Sequence, residues 1–250
     1  MLRLALHNLL DASTASDDPH TGKEEAGDQS TPSHLEPMRL VILSDTHNDH
    51  RALDVPAGDV LIHAGDFTCY GRQEHAEDFN AWLGELPHAH KIVVNGNHEN
   101  NAPWKAQVRG LLTNAVFLKD EGVRIPRIRK DGAACCEGDA LTVYGTEFFW
   151  PMQPGHRNPS YDLIPKDTQV LVTHGPVQGF VDGGSGCPAM REKCEQLAIS
   201  GQQLRLVISG HVHSAYGRIQ GTGVCRGVEF VNAANCDNRK IANPPIVIDL

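Results

Sequence analysis

Basic residues are scarce: 22 Lys and Arg stand against 31 Asp and Glu, a net charge of −9 over 250 residues. A chain with that balance offers no general basic face to phosphate backbones or acidic bilayers, so nucleic acid and membrane surfaces are not expected partners. No apolar run approaches the roughly 18 residues that a membrane-spanning helix needs. Cysteine occurs seven times, at Cys69, Cys135, Cys136, Cys187, Cys194, Cys225 and Cys236, without a single CxxC pair. The odd number and irregular spacing exclude a disulfide framework and a zinc ribbon. Reduced thiols in the cytoplasm are the expectation.

The first 37 residues contain no aromatic side chain. After MLRLALHNLL they offer little to bury, and the stretch holds two basic and seven acidic residues. Such a composition cannot offset the entropy of ordering, so residues 1–37 are expected to form a disordered acidic tail. The broken apolar start suits a short frayed helix better than a targeting signal. One large domain is expected over residues 38–250, long enough for a substantial core.

Within that domain short apolar runs, often β-branched, end in polar residues beside glycine. MRLVILS runs into DTH, DVLIHA into GD, KIVVN into GNHEN, TQVLV into THGP, and LRLVIS into GHVH. Runs with so little alternation fit strands buried on both faces. Between the second and third lies QEHAEDFNAWLGEL, whose Phe79, Trp82, Leu83 and Leu86 recur at helical spacing. This predicts a β-α-β unit in a parallel sheet covered by helices, hence an α/β fold. LTVYGTEFFW, AYGRIQ, GVEFVNAAN and PPIVIDL are expected to be strands of a second, mixed sheet.

In open α/β sheets functional groups gather beyond the carboxyl ends of the strands. Here those ends carry Asp45 and His47, Asp66, Asn97 and His98, His174, and His211 and His213. A lone histidine after a strand is ordinarily a loop or core group. Five such endings offering Asp, Asn and His point to metal ligands. A donor set without thiolate suits Mn²⁺, Fe²⁺, Zn²⁺ or Mg²⁺. The candidates are too many for one ion with an open position, and enough for two ions sharing a carboxylate. Two metals about 3.5–4 Å apart suit phosphate ester hydrolysis.

Other residues have plainer expectations. His63 lies inside a strand and should be a hydrogen-bonded core group. His50 is expected in an exposed loop, and His75, His88 and His90 on the surface. The loop FFWPMQPGHRNP offers Trp150, His156 and Arg157 near the expected mouth of the site, open between substrate contact and a structural role. VDGGSGCPAM lacks the final glycine of a GxSxG elbow, which argues against a serine hydrolase. Cys135 and Cys136 are expected to be inert.

The ordered set D-x-H, GD, GNHE, THG and GHxH resembles the calcineurin-like metallophosphoesterase superfamily. LLTNAVFLKDEGV, THGPVQGFVD, YGRI, VNAANC and NPPIVIDL narrow the resemblance to the metallophosphoesterase-domain-containing (MPPED) branch, associated with class III cyclic nucleotide phosphodiesterases. The resemblance implies a four-layer α/β/β/α sandwich with two mixed sheets flanked by helices. It implies that Asp45, His47 and His213 bind one metal, that Asn97, His174 and His211 bind the other, and that Asp66 bridges them. His98 would be the catalytic acid beside the scissile bond, with Asn97, His98 and His213 also meeting substrate. Manganese is the first expectation for the two ions. In-line attack of a metal-bound hydroxide on a small phosphodiester or nucleotide substrate is implied, without a covalent enzyme intermediate.

Within this branch the first histidine of GHxH can be glycine; here His211 keeps the ligand set complete. The serine/threonine phosphatase branch has GDxxDRG, whereas this chain reads GDFTCYG, with Cys69 and Tyr70 in place of that Asp and Arg. Losing the arginine favours a diester, which carries one charge less than a monoester. A broad phosphomonoesterase and a non-catalytic nucleotide-binding scaffold are the alternatives. The oligomeric state is left open.

Overall fold

The computed structural model describes residues 35–131, 137–151, 153–201, 203–237 and 240–250. Two large sheets form among them. In the first, β1 (Arg39–Leu43), β2 (Val60–His63), β3 (His90–Val93) and β4 (Val116–Phe117) run parallel. The second contains β5 (Glu121–Ile125), β6 (Leu141–Gly145), β7 (Val170–Val172), β8 (Leu206–Ser209), β9 (Gly217–Gln220) and β10 (Glu229–Asn232). Its order is β5-β6-β7-β8-β10-β9, parallel from β6 through β10 with an antiparallel strand at each edge. A short pair, β11 (Cys236–Asp237) and β12 (Lys240–Ile241), precedes β13 (Ile246–Asp249). The terminal strand corrects the expected sheet assignment. β13 pairs antiparallel with β1, closing the edge of the first sheet rather than joining the second.

Strand alternation explains the layers. Leu40 and Ile42 of β1 point inward with Ile62 and Ile92, against Val143, Val172, Ile208 and Val231 of the opposite sheet. Their neighbours Val41, Leu61 and Val93 point outward and are covered by Phe79, Trp82 and Leu83 of α1 (Gln73–Glu85). Three short helices follow, α2 (Asn97–Asn100), α3 (Val108–Leu111) and α4 (Pro159–Asp162). On the far side Leu171, Val207 and Phe230 are covered by Met190, Cys194 and Leu197 of α5 (Pro188–Ser200). Strands covered on both faces need apolar residues at every position, which is why they read as continuous apolar runs. The result is the expected α/β/β/α sandwich.

Several expectations need correction. The segment LTVYGTEFFW is strand only to Gly145; beyond it Phe148 turns in and is buried. His50 is fully buried, packed 4.9 Å from the Trp82 ring and 5.5 Å from Phe79. His88 is buried as well, with Nε2 3.1 Å from the Pro56 carbonyl. His63 is the hydrogen-bonded core group expected, with Nε2 3.0 Å from Thr46 Oγ1 and Nδ1 accepting from the Gly65 N–H. Most of the expected acidic tail lies outside the described residues, as do Cys135 and Cys136. Leu35, inside the expected tail, is buried and bridges to Arg129. Among the described cysteines Cys69, Cys194, Cys225 and Cys236 are free thiols. Among the described residues no helix is long and apolar enough to cross a membrane.

Candidate metal centre

The chain bends sharply as it leaves β1, β2 and β8. Asp45, His47, Asn48, Asp66 and His211 all have positive φ, a conformation that non-glycine residues rarely adopt. Such strain persists only where the surroundings over-determine it, and it clusters at functional sites. The glycines beside the ligands are steric requirements. A Cβ on Gly96 would collide with the Asp66 carboxylate, and one on Gly210 with Asp45 and Ser44.

These bends bring the expected ligands together. Asp45 is fully buried; its Oδ2 accepts from the His211 main-chain N–H at 2.9 Å, while its Oδ1 has no hydrogen-bond partner. His213 Nε2 lies 3.3 Å from that Oδ1 and 3.2 Å from His47 Nε2. On the other side His174 Nδ1 meets the Ala64 carbonyl at 2.7 Å, so Nδ1–H donates there and Nε2 faces inward. That Nε2 lies 3.2 Å from Asn97 Oδ1, 3.4 Å from Asp66 Oδ2 and 3.9 Å from Asp45 Oδ1. Possible ligand atoms of Asp45, His47 and His213 all lie within 4.8 Å of one another, as do those of Asp66, His174 and His211. His47, Asp66 and His98 form a third such group between them. The seven expected ligands therefore converge, with Asp66 in the middle.

The electrostatics show what this arrangement suits. Burial opposes protonation of His174, but the Asp66 and Asp45 carboxylates outweigh it and raise the imidazole to about 9. Burial likewise works against the Asp45 carboxylate, yet the neighbouring imidazoles of His174 and His213 hold it well below the usual range. Burial and the His174 charge push His211 down to about 4. An orphaned buried carboxylate oxygen and imidazole nitrogens facing other lone pairs call for cations. The N and O donors fit divalent ions of the first transition row or magnesium.

His98 stands at the rim of this group. Its main-chain N–H donates to Asp66 Oδ1 at 2.9 Å and its Nε2 is 3.8 Å from Asp66 Oδ2. Nδ1 is 2.9 Å from both the Thr68 carbonyl and the Tyr70 N–H, so either tautomer has a partner. The ring is flanked by His47 at 4.7 Å and Tyr70 at 5.1 Å. A cavity of about 500 Å³ opens here, lined among others by His47, Asp66, Tyr70, Asn97, His98 and His213.

His156 and Arg157 do not line that cavity. They line a separate cleft beside α4 and α5, where Arg157 is paired with Asp162 at 2.7 Å. This corrects their expected placement at the mouth. Trp150 is near the site, with its ring 5.4 Å from His211.

Glu99 carries a role that sequence reasoning left unassigned. Its buried carboxylate accepts from the N–H groups of Asp66, Thr68 and Gly96, each at 2.9 Å, and from Thr68 Oγ1 at 2.6 Å. One side chain thus ties the loop after β2 to the loop after β3. The signal was available, since a Glu three residues after a helix N-cap is half of a capping box.

Residues 38–215 match the family model for calcineurin-like phosphoesterases. Metallophosphoesterase domain-containing protein 1 of Homo sapiens is 35% identical over 240 residues, covering 85% of this chain and 71% of that protein. The mouse protein of that name shows the same identity and coverage. A UPF0046 protein of Caenorhabditis elegans is 33% identical over 238 residues, covering 84% of this chain and 74% of its own.

Proposed function

This chain belongs to the calcineurin-like phosphoesterase family, and we propose that it is a two-metal phosphodiesterase for small cyclic-nucleotide-like diesters. Asp45, His47 and His213 would hold one divalent ion, Asn97, His174 and His211 the other, with Asp66 shared. Manganese is the first candidate. Bound there, such ions supply Lewis acidity toward a phosphoryl oxygen and make water a nucleophile near neutral pH.

The chain's own groups do the rest. Asn97 and His213, at the cavity wall, orient the phosphoryl group. His98 Nε2 is directed toward Asp66, from where it can protonate the departing alkoxide as a general acid. The Glu99 anchor holds the Asp66 and His98 loops in register, so that acid and bridge keep one geometry.

One observation carries the diester preference: among the described residues lining the cavity there is no Lys or Arg. A dianionic monoester would want a further cation beyond the two metals, whereas a monoanionic diester would not. The position where serine/threonine phosphatases carry arginine holds Tyr70. The test is to strip the protein of metal and reload it with Mn²⁺, Fe²⁺, Zn²⁺ or Mg²⁺. Turnover is then compared on bis-p-nitrophenyl phosphate, p-nitrophenyl phosphate and 2′,3′- and 3′,5′-cyclic nucleotides. The bis-ester and at least one cyclic nucleotide should exceed the monoester in kcat/KM. The reverse order would make the protein a phosphomonoesterase, and tight AMP binding without turnover of any ester would make it a nucleotide-binding protein.

A further inference from the structure

The turn that carries His47 also carries a carboxylate that the chemistry described above leaves unused. The Asp49 N–H donates to the Thr46 carbonyl at 2.7 Å. That bond closes a four-residue turn whose central residues, His47 and Asn48, have φ of +44° and +77°. Such a turn has little conformational freedom, since few residues tolerate two successive positive φ values. On its far side the Asp49 carbonyl accepts from the Ala52 N–H at 2.9 Å. Both main-chain groups of Asp49 are thus tied, and the residue keeps a fixed relation to His47.

Its side chain is not used for local structure. Asp49 precedes a single 3₁₀ turn, His50–Ala52, at the position where an aspartate ordinarily caps. Its carboxylate makes no capping bond. The residue is exposed and lines the cavity instead. Arg51, two residues on, does not neutralise it, because Asp78 at 3.1 Å and Glu85 at 3.0 Å hold its guanidinium. Among the described residues no Lys or Arg lines the cavity to take its place. Beyond the metal ligands that wall offers hydrogen-bonding groups. His75, expected on the surface, is one of them. Its Nδ1 accepts the Cys69 N–H at 3.1 Å, which leaves the other ring nitrogen as the donor.

We propose that Asp49 is a charge filter, a specificity-determining residue that selects diesters whose alcohol portion carries no further phosphate. A second phosphate on that portion would approach an unneutralised carboxylate with no basic side chain to receive it. Hydroxyl groups would instead find an acceptor in Asp49 and a donor in His75. The substrate class is then a nucleoside- or sugar-type diester with a single phosphate, not a stretch of oligonucleotide. This deepens the phosphodiesterase reading and rests on it, but its test does not require turnover.

The experiment uses the full-length, Mn²⁺-loaded protein at low salt, where exposed charges are least screened. Calorimetry compares thymidine 5′-phosphate with thymidine 3′,5′-bisphosphate, the same molecule with a second phosphate. The ratio of dissociation constants is measured for wild type, Asp49→Asn, Asp49→Lys and Asp54→Lys. Asparagine keeps the shape of the side chain without its charge, so the His47 turn is preserved. Asp54 is an exposed acid of the same connection that does not line the cavity, and it controls for net charge. One exposed charge shifts such an equilibrium by up to about five-fold. Wild type should bind the monophosphate more tightly. Relative affinity for the bisphosphate should rise about 3- to 5-fold in Asp49→Asn and further in Asp49→Lys, and stay within about two-fold in Asp54→Lys. Tighter binding of the bisphosphate by wild type, or binding of neither ligand, overturns the filter. So does a ratio unchanged in Asp49→Lys, or one that moves equally in Asp54→Lys. Hydrolysis of bis-p-nitrophenyl phosphate, measured separately, decides the phosphodiesterase reading whichever way the ratio falls.

Discussion

His47 Nε2 and His213 Nε2 lie 3.2 Å apart although 166 residues separate them in the chain. Two neutral imidazoles can meet so only if one donates to the other, and then His213 has no proton left for the orphaned Asp45 oxygen 3.3 Å away. A cation shared among the three removes the conflict. Around His174 an amide oxygen and two carboxylates crowd one ring nitrogen, a setting that suits a proton or a metal ion there.

The first prediction is proton release on metal binding. In the cation-free protein the two carboxylates raise His174 to about 9, so near pH 7.5 the ring is protonated. A metal needs the neutral imidazole, so binding must expel that proton. Calorimetric titrations with Mn²⁺ in buffers of different ionisation enthalpy should give close to one proton released at pH 7.5, falling as pH rises past 9. Zero release at pH 7.5 would remove His174 from the ligand set.

On the proposed reading Asp66 is shared between two ions, so Asp66→Asn should reduce bound metal from two ions to at most one and abolish turnover. Asparagine can still accept the His98 main-chain N–H, which keeps the loop in place. Metal analysis of the purified variant is the measurement. Retention of two tightly bound ions would refute the bridging role.

His98→Ala should separate binding from chemistry. Loss of a general acid costs about 10²–10⁴-fold in rate, and kcat should fall in that range with metal content unchanged. The residue nonetheless groups with His47 and Asp66 at ligand distance. If the variant instead loses one equivalent of metal, His98 is a ligand and the acid must be sought elsewhere.

Much of this architecture was legible in the sequence because strands of both sheets are covered on both faces and show as unbroken apolar runs. The candidate ligands follow those runs closely, so their convergence was readable too. What escaped depends on partners remote in the chain. His50 looked like a loop histidine because nothing near it reveals that Trp82 and Phe79 will close over it. PPIVIDL reads as a strand, but only the pairing of Ile246 with Ile42 assigns it to the first sheet. His156 and Arg157 have chemistry suited to phosphate, yet the path of the loop takes them to another cleft, where Asp162 holds the arginine.

Glu99→Ala should damage stability and metal binding together. Three main-chain N–H groups and the Thr68 hydroxyl lose their acceptor in a buried place. Each unsatisfied group costs about 1–3 kcal/mol, so a loss of at least about 3 kcal/mol is expected in urea unfolding. Metal affinity should drop as well, because the anchor spans the loops of Asp66 and Asn97. A stable variant with unchanged metal affinity would show that the loops hold themselves.

His63 makes the last prediction, in acid. Burial lowers its imidazole from 6.5 to about 3, while its Nδ1 accepts from Gly65 N–H and its Nε2–H donates to Thr46. Below pH 6.5 the unfolded chain takes up a proton at this residue that the folded chain refuses, so stability falls as pH drops from about 6.5 toward 3. One such proton contributes a slope of about 1.4 kcal/mol per pH unit. Glutamine can keep one donor and one acceptor without titrating. Urea unfolding of the metal-free protein from pH 7 to 4.5 should therefore show a shallower decline for His63→Gln than for wild type, by close to one proton. Parallel curves would mean that His63 titrates alike in both states and that its burial does not exclude the proton.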